Sequence, residues 1–201
     1  MKNSIKILTT IITITIIFNC QKGNAQDKVV TGGIFLTEQN FYANKLSYPL
    51  NDPDKLQLNE FFGSKSIAVV KHGEKTKLLK RNIYGYRLHN QNFRFFNNDS
   101  YRIVDTAGFM LYSRQRLVQQ NKGYLPVETF FFSVDARQPV LNLTVANLSN
   151  SFSAQAGFRY SPESLFNKDT DLMAYDKQTQ QYKIKYLYLQ QKQPKTAHTT
   201  L

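Results

Sequence analysis

The sequence predicts an α+β fold: a single domain, predominantly an antiparallel β-meander, with a few short helices. Three observations predict it. Short runs rich in Ile, Val, Phe and Tyr recur through residues 66–134, separated by clusters of Gly, Asn, Asp and Ser that favour turns. The connections between those runs are too short for the crossovers that parallel strands require. The clearest helix start, Ser161-Pro162-Glu163, falls after the last strong strand pattern.

Taken in order, Val29–Leu36 reads as a first strand, with Gly32-Gly33 as a flexible or bulged point. Thr37 caps one or two helical turns running to Asn44. Tyr48–Asp54 holds two prolines and reads as loop, and Leu56–Phe62 as a short strand. Ser66–Lys71 and Thr76–Lys80 form a hairpin around the turn His72-Gly73-Glu74-Lys75. Ile83–Leu88, Phe93–Phe96, Tyr101–Thr106 and Phe109–Leu117 continue the meander, with turns at 89–92, 97–100 and 107–108. Thr129–Val134 is apolar enough to lie centrally, and Val140–Leu143 is a further strand. Thr144 caps a short helix towards Phe152, and Ser161 caps another with Pro162 at its first position. Leu172–Leu189 fits both periods: Leu172, Tyr175, Tyr182, Tyr186 and Leu189 match a helix, while Tyr182, Ile184, Tyr186 and Tyr188 alternate, so that stretch stays open, with the strand slightly favoured at its end.

The chain has 201 residues, 41% hydrophobic and 13% aromatic, enough for a core and of a length that suits one domain. That composition excludes disorder throughout and a collagen-like chain, and the single cysteine excludes a disulfide-stapled miniprotein. Lys2 and Lys6 precede one apolar run, Ile7–Phe18, of twelve residues. A membrane-spanning helix needs about 20, whereas a signal peptide's apolar region needs roughly 7–15. Gly23 and Ala25 then supply the small residues that signal peptidase prefers, so residues 1–25 are expected to be a signal peptide. Residues 26–190 are expected to form one β-rich domain, and 191–201 a flexible tail. Cys20 is a candidate lipidation site, though Asn19 before it is not the usual small residue. If the cut follows Ala25 the mature chain has no thiol, no transmembrane span, and three fewer lysines, which lowers the formal charge from +12 to +9.

The positive charge concentrates in residues 61–116, where eleven Lys and Arg face three Asp and Glu. Basic and aromatic residues interleave there. Arg87, Arg94, Arg102 and Arg114 are the candidate anion-binding surface, able to hold phosphates or carboxylates by bidentate bonds if they line one exposed face. The alternative is an ordinary sheet with aromatics packed inward and cations facing water. His72, His89 and His198 have no metal-ligand spacing, and no nucleotide-binding loop or nucleophile elbow occurs, so no catalytic residue and no cofactor is expected.

The segments Lys77-Leu-Leu-Lys-Arg-Asn-Ile-Tyr-Gly-Tyr-Arg87, Phe93-Arg-Phe-Phe96 and Tyr101-Arg-Ile-Val104 resemble a family of uncharacterised exported proteins from Bacteroidota, over roughly residues 29–150. The resemblance implies an envelope, periplasmic or secreted location and brings no catalytic residue with it. The expected function is therefore a non-catalytic binding or structural role, with an anionic envelope component or a protein as partner. Two alternatives stand beside it: a polyanion-binding module for lipopolysaccharide, acidic glycan or nucleic acid, and an unrecognised hydrolase.

Overall fold

A computed structural model of the chain describes residues 30–59, 63–120 and 123–192. The expected signal peptide, Cys20, His198 and residues 193–201 of the expected tail lie outside the described residues. The molecule is mostly antiparallel sheet. Its strands are β1 (Val30–Phe35), β2 (Tyr48–Asn51), β3 (Lys55–Gln57), β4 (Ser66–Lys71), β5 (Glu74–Leu79), β6 (Gly85–Leu88), β7 (Gln91–Phe96), β8 (Asp99–Asp105), β9 (Met110–Gln120), β10 (Gly123–Ser133), β11 (Leu141–Asn142), β12 (Tyr175–Asp176) and β13 (Gln181–Tyr182). The helices are α1 (Glu38–Tyr42), α2 (Val145–Ser151), α3 (Ala156–Arg159), α4 (Ser161–Leu165) and α5 (Lys183–Lys192).

One eight-stranded sheet, ordered β11-β10-β9-β8-β7-β6-β1-β2, holds the meander expected from residues 83–134. Its hairpins turn on pairs of residues with positive φ, His89-Asn90 and Asn97-Asn98, the left-handed geometry that matches strand twist. Gly85 is where a side chain has no room: a Cβ there would sit 1.9 Å from the Phe93 carbonyl oxygen. The hairpin of β4 and β5, around His72-Gly73, does not join this sheet; with β3 it forms a separate three-stranded one.

Register assigns the faces of the large sheet. Ile34, Tyr86, Phe93, Arg102 and Ser113 are successive partners across five strands and share one face, with Phe130 beyond them. The three-stranded sheet covers one flank of that face, its Ile67 and Val69 packed with Ile34, Tyr86 and Phe95. The helices cover the other flank, where Phe109, Leu111 and Phe132 meet Leu148, Phe152, Phe158, Ile184 and Tyr188. On the opposite face Phe35, Tyr101, Tyr112 and Phe131 are capped by Phe41 of α1 and by Val140.

Several expectations are corrected. Tyr48–Asn51 is a strand despite Pro49, because β2 lies at the sheet's edge, where a missing N–H costs no inner ladder bond. Strand β10 starts at Gly123, six residues before the expected Thr129, in an unbroken eleven-pair ladder with β9. The end of the ambiguous stretch is a helix, but not with the expected apolar face: α5 buries Ile184, Lys185 and Tyr188, the first and last one turn apart, and leaves Tyr186, which the helical reading placed inward, exposed. That helix runs through Gln191 and Lys192, where a tail was expected. Thr144 caps α2 as expected, accepting from the Asn147 N–H. Ser161 does not cap α4; Tyr160 holds that position, and the Ser161 hydroxyl donates to the Gly157 carbonyl instead.

Candidate functional site: a polar groove on the large sheet

Between the two cover layers, the shared face of β6–β10 remains open as a groove of about 720 Å³. Its floor carries Tyr86 and Phe93, whose rings stack at 4.7 Å and 4°. Tyr86 is buried and its hydroxyl bonds Ser100 at 2.7 Å, which fixes the ring; Phe93 is only half-buried. The polar side of the groove is a pair of charges. Arg102 donates to Glu128 at 2.6 Å and to the Ser113 hydroxyl at 2.9 Å, and both members of the pair are about half exposed. Asp99 and Arg114 border the groove as a second pair at 2.5 Å, although alternation gives their side chains to the opposite face. Lys80 lies at the wall, buried, donating to the Asn98 carbonyl at 2.9 Å.

The four candidate arginines do not line one face. Arg102 belongs to the groove's face, while Arg87, Arg94 and Arg114 belong by register to the other. Arg87 is held by the side-chain oxygens of Asn92 and Asn44 and lies over Phe35. Arg94 is buried, donating to the Tyr112 hydroxyl, the Ser133 hydroxyl and the Gln138 carbonyl. Arg102 and Arg114 are the two that border the groove, each already paired with a carboxylate. The correction has a simple cause. Residues 87 and 94 fall on the face that α1 and the segment after β10 cover, and no local pattern signals which face will be covered.

Glu128, Phe93 and Ser113 were not singled out from sequence. The row Tyr86–Phe93–Arg102–Ser113 becomes visible only once strand register is known. Burial raises the tyrosine hydroxyls around this region: Tyr112, against the opposing charge of Arg94, and Tyr182, against that of Arg102. Tyr84 is raised further by the same cause, and its buried hydroxyl has no hydrogen-bond partner among the described residues. His72 and His89 sit at hairpin turns and do not line the groove. Among the described residues no three His, Cys, Asp or Glu gather in a way that could hold a metal, and no helix is long and apolar enough to cross a membrane. No protein-family model, curated protein or solved structure matches this chain.

Proposed function

We propose that this chain is an exported cell-envelope or secreted protein with a non-catalytic binding role, and that the groove receives a hydroxyl-rich ligand of the saccharide class. The observation that carries the reading is the Arg102–Glu128 pair set beside the Tyr86–Phe93 ring stack. The partly exposed Phe93 ring accepts the apolar CH face of a sugar ring. A charge pair whose members orient each other offers donors and acceptors side by side without adding net charge, which suits hydroxyls better than a polyanion. Export is supported by the basic start, the twelve-residue apolar run and the Gly23/Ala25 junction.

The polyanion surface built from Arg87, Arg94, Arg102 and Arg114 has less support, since those arginines are divided between two faces and engaged internally. The test is calorimetric titration of the protein with a panel of neutral and acidic oligosaccharides. Phe93→Ala should weaken binding at least about fivefold, as loss of a stacking ring worth roughly 1–3 kcal/mol implies. A panel without a ligand, or a Phe93→Ala protein that binds as well as the wild type, removes the reading. Turnover of a bound oligosaccharide would replace it with the hydrolase alternative.

A further inference from the structure

We propose a second site, independent of the groove's ligand: a pocket that holds the phosphate headgroup of an anionic lipid while the basic outer face of the three-stranded sheet lies against the membrane surface. The pocket, of about 520 Å³, lies between the 3-10 turn Lys80–Asn82 and the β7–β8 turn. Its rim carries Lys65 and Arg81, the buried Lys80 lies in its wall, and no Asp or Glu is among its described lining residues. Lys65 and Arg81 are exposed, and neither has an ion-pair partner among the described residues. The two segments are tied together, since the Lys80 N–H donates to the Lys65 carbonyl at 2.9 Å. The floor is apolar, formed by the buried side chains of Ile83 and Phe95.

Cations over an apolar floor match an amphiphile. An inorganic anion would use the rim and leave the floor empty, and a polysaccharide would find little to do with Ile83. The pocket also continues a wider surface. Register places Lys55, Lys75, Lys77 and Leu79 on one face of the three-stranded sheet, opposite the face that packs Ile67 and Val69 into the core. All four are exposed, and among the described residues that face carries no Asp or Glu. Leu79 belongs to both the face and the pocket, so the basic surface runs into the pocket without a break. Cations held near an anionic leaflet each contribute about 1 kcal/mol, so this many give stable yet salt-sensitive attachment.

The experiment is co-sedimentation of the purified protein with vesicles of phosphatidylcholine, with and without phosphatidylglycerol. The wild type should bind only the phosphatidylglycerol vesicles. Lys65→Ser/Arg81→Ser should bind them about 30-fold more weakly, roughly fivefold per cation removed from the surface. The charge-matched control Lys168→Ser/Lys177→Ser should stay within about twofold of wild type, because a long-range charge effect is screened. If the double variant does not fold, Arg81→Gln alone decides the same question, with a loss of about fivefold. Equal binding to neutral vesicles, or equal loss in the charge-matched control, overturns the proposal. So does competition by millimolar inorganic phosphate, which would make a free anion the ligand, or tighter binding of DNA through the same two residues. Failure of the saccharide reading leaves this test untouched, since Lys65 and Arg81 do not line the groove.

Discussion

Arg94 carries its charge in the interior without a carboxylate beside it among the described residues. The guanidinium lies 5.7–5.8 Å from the ring centres of Tyr84, Phe96 and Tyr112, which present electron-rich faces to it. Its N–H groups are taken up by two hydroxyls and the Gln138 carbonyl. Those bonds join β7 to β9, to the end of β10 and to the segment that follows, so one planar side chain ties together pieces of chain 44 residues apart. Lysine keeps the charge but offers a single nitrogen, which does not reproduce the fork. Arg94→Lys should therefore cost about 2 kcal/mol of stability, and Arg94→Met about 3, measured by urea denaturation. A change below about 0.5 kcal/mol in both would show that the buried charge is not a structural tie. From sequence Arg94 is indistinguishable from Arg102: each sits in a strand between aromatic or aliphatic neighbours. The difference lies in what covers each face.

At the scale of the element, the β9–β10 hairpin shows how a strand accommodates a proline within a continuous ladder. Pro126 pairs with Leu117 in a continuous ladder. The Phe130 carbonyl accepts from Leu143 of the neighbouring segment, away from β9, so the residues two and four before it also turn their backbone groups outward. Pro126 therefore presents its ring nitrogen at the outer edge of β10, where β11 reaches only Phe131 and Phe132. That edge would otherwise offer a free donor beside exposed Tyr124 and Leu125, a template for another chain. Pro126→Thr restores the donor. It should leave unfolding stability within about 0.5 kcal/mol yet raise self-association, read by sedimentation velocity. A variant as monodisperse as the wild type would show that the proline does not guard the edge. The hairpin turns were legible because left-handed backbone pairs demand Asn, Gly or His locally. Helix α5 was not, because Ile184 and Tyr188 meet both periods and only the pocket left by Phe109, Phe152 and Phe158 selects one.

The whole molecule is joined at Lys185, whose side chain is fully buried beneath α5. Its ammonium donates to the Ala107 carbonyl at 2.9 Å and to the Phe109 carbonyl, lies 3.4 Å from an Asp105 oxygen and faces the Phe109 ring. The chain's last described helix is thereby locked to the β8–β9 turn. Burial lowers the amine to about 8, with Asp105 opposing. Between about 8 and 10.5 the unfolded chain holds this proton and the folded one does not, so stability rises with pH across that window. Below about 8 the penalty of the buried charge is fully present, on the order of 3 kcal/mol. Wild type measured against Lys185→Met by denaturant titration should therefore gain up to that amount from pH 8 to 10.5. A difference that stays flat with pH would dispose of the idea. Local chemistry determined the turns, the antiparallel strands between them and the Thr144 cap, because each depends on a few neighbouring residues. The sequence also holds the only grounds for expecting export. Tertiary structure alone decided which arginines face water, where the groove opens and that Lys185 is buried. A strand's alternation defines two faces, and only segments that arrive from far along the chain determine which one is covered.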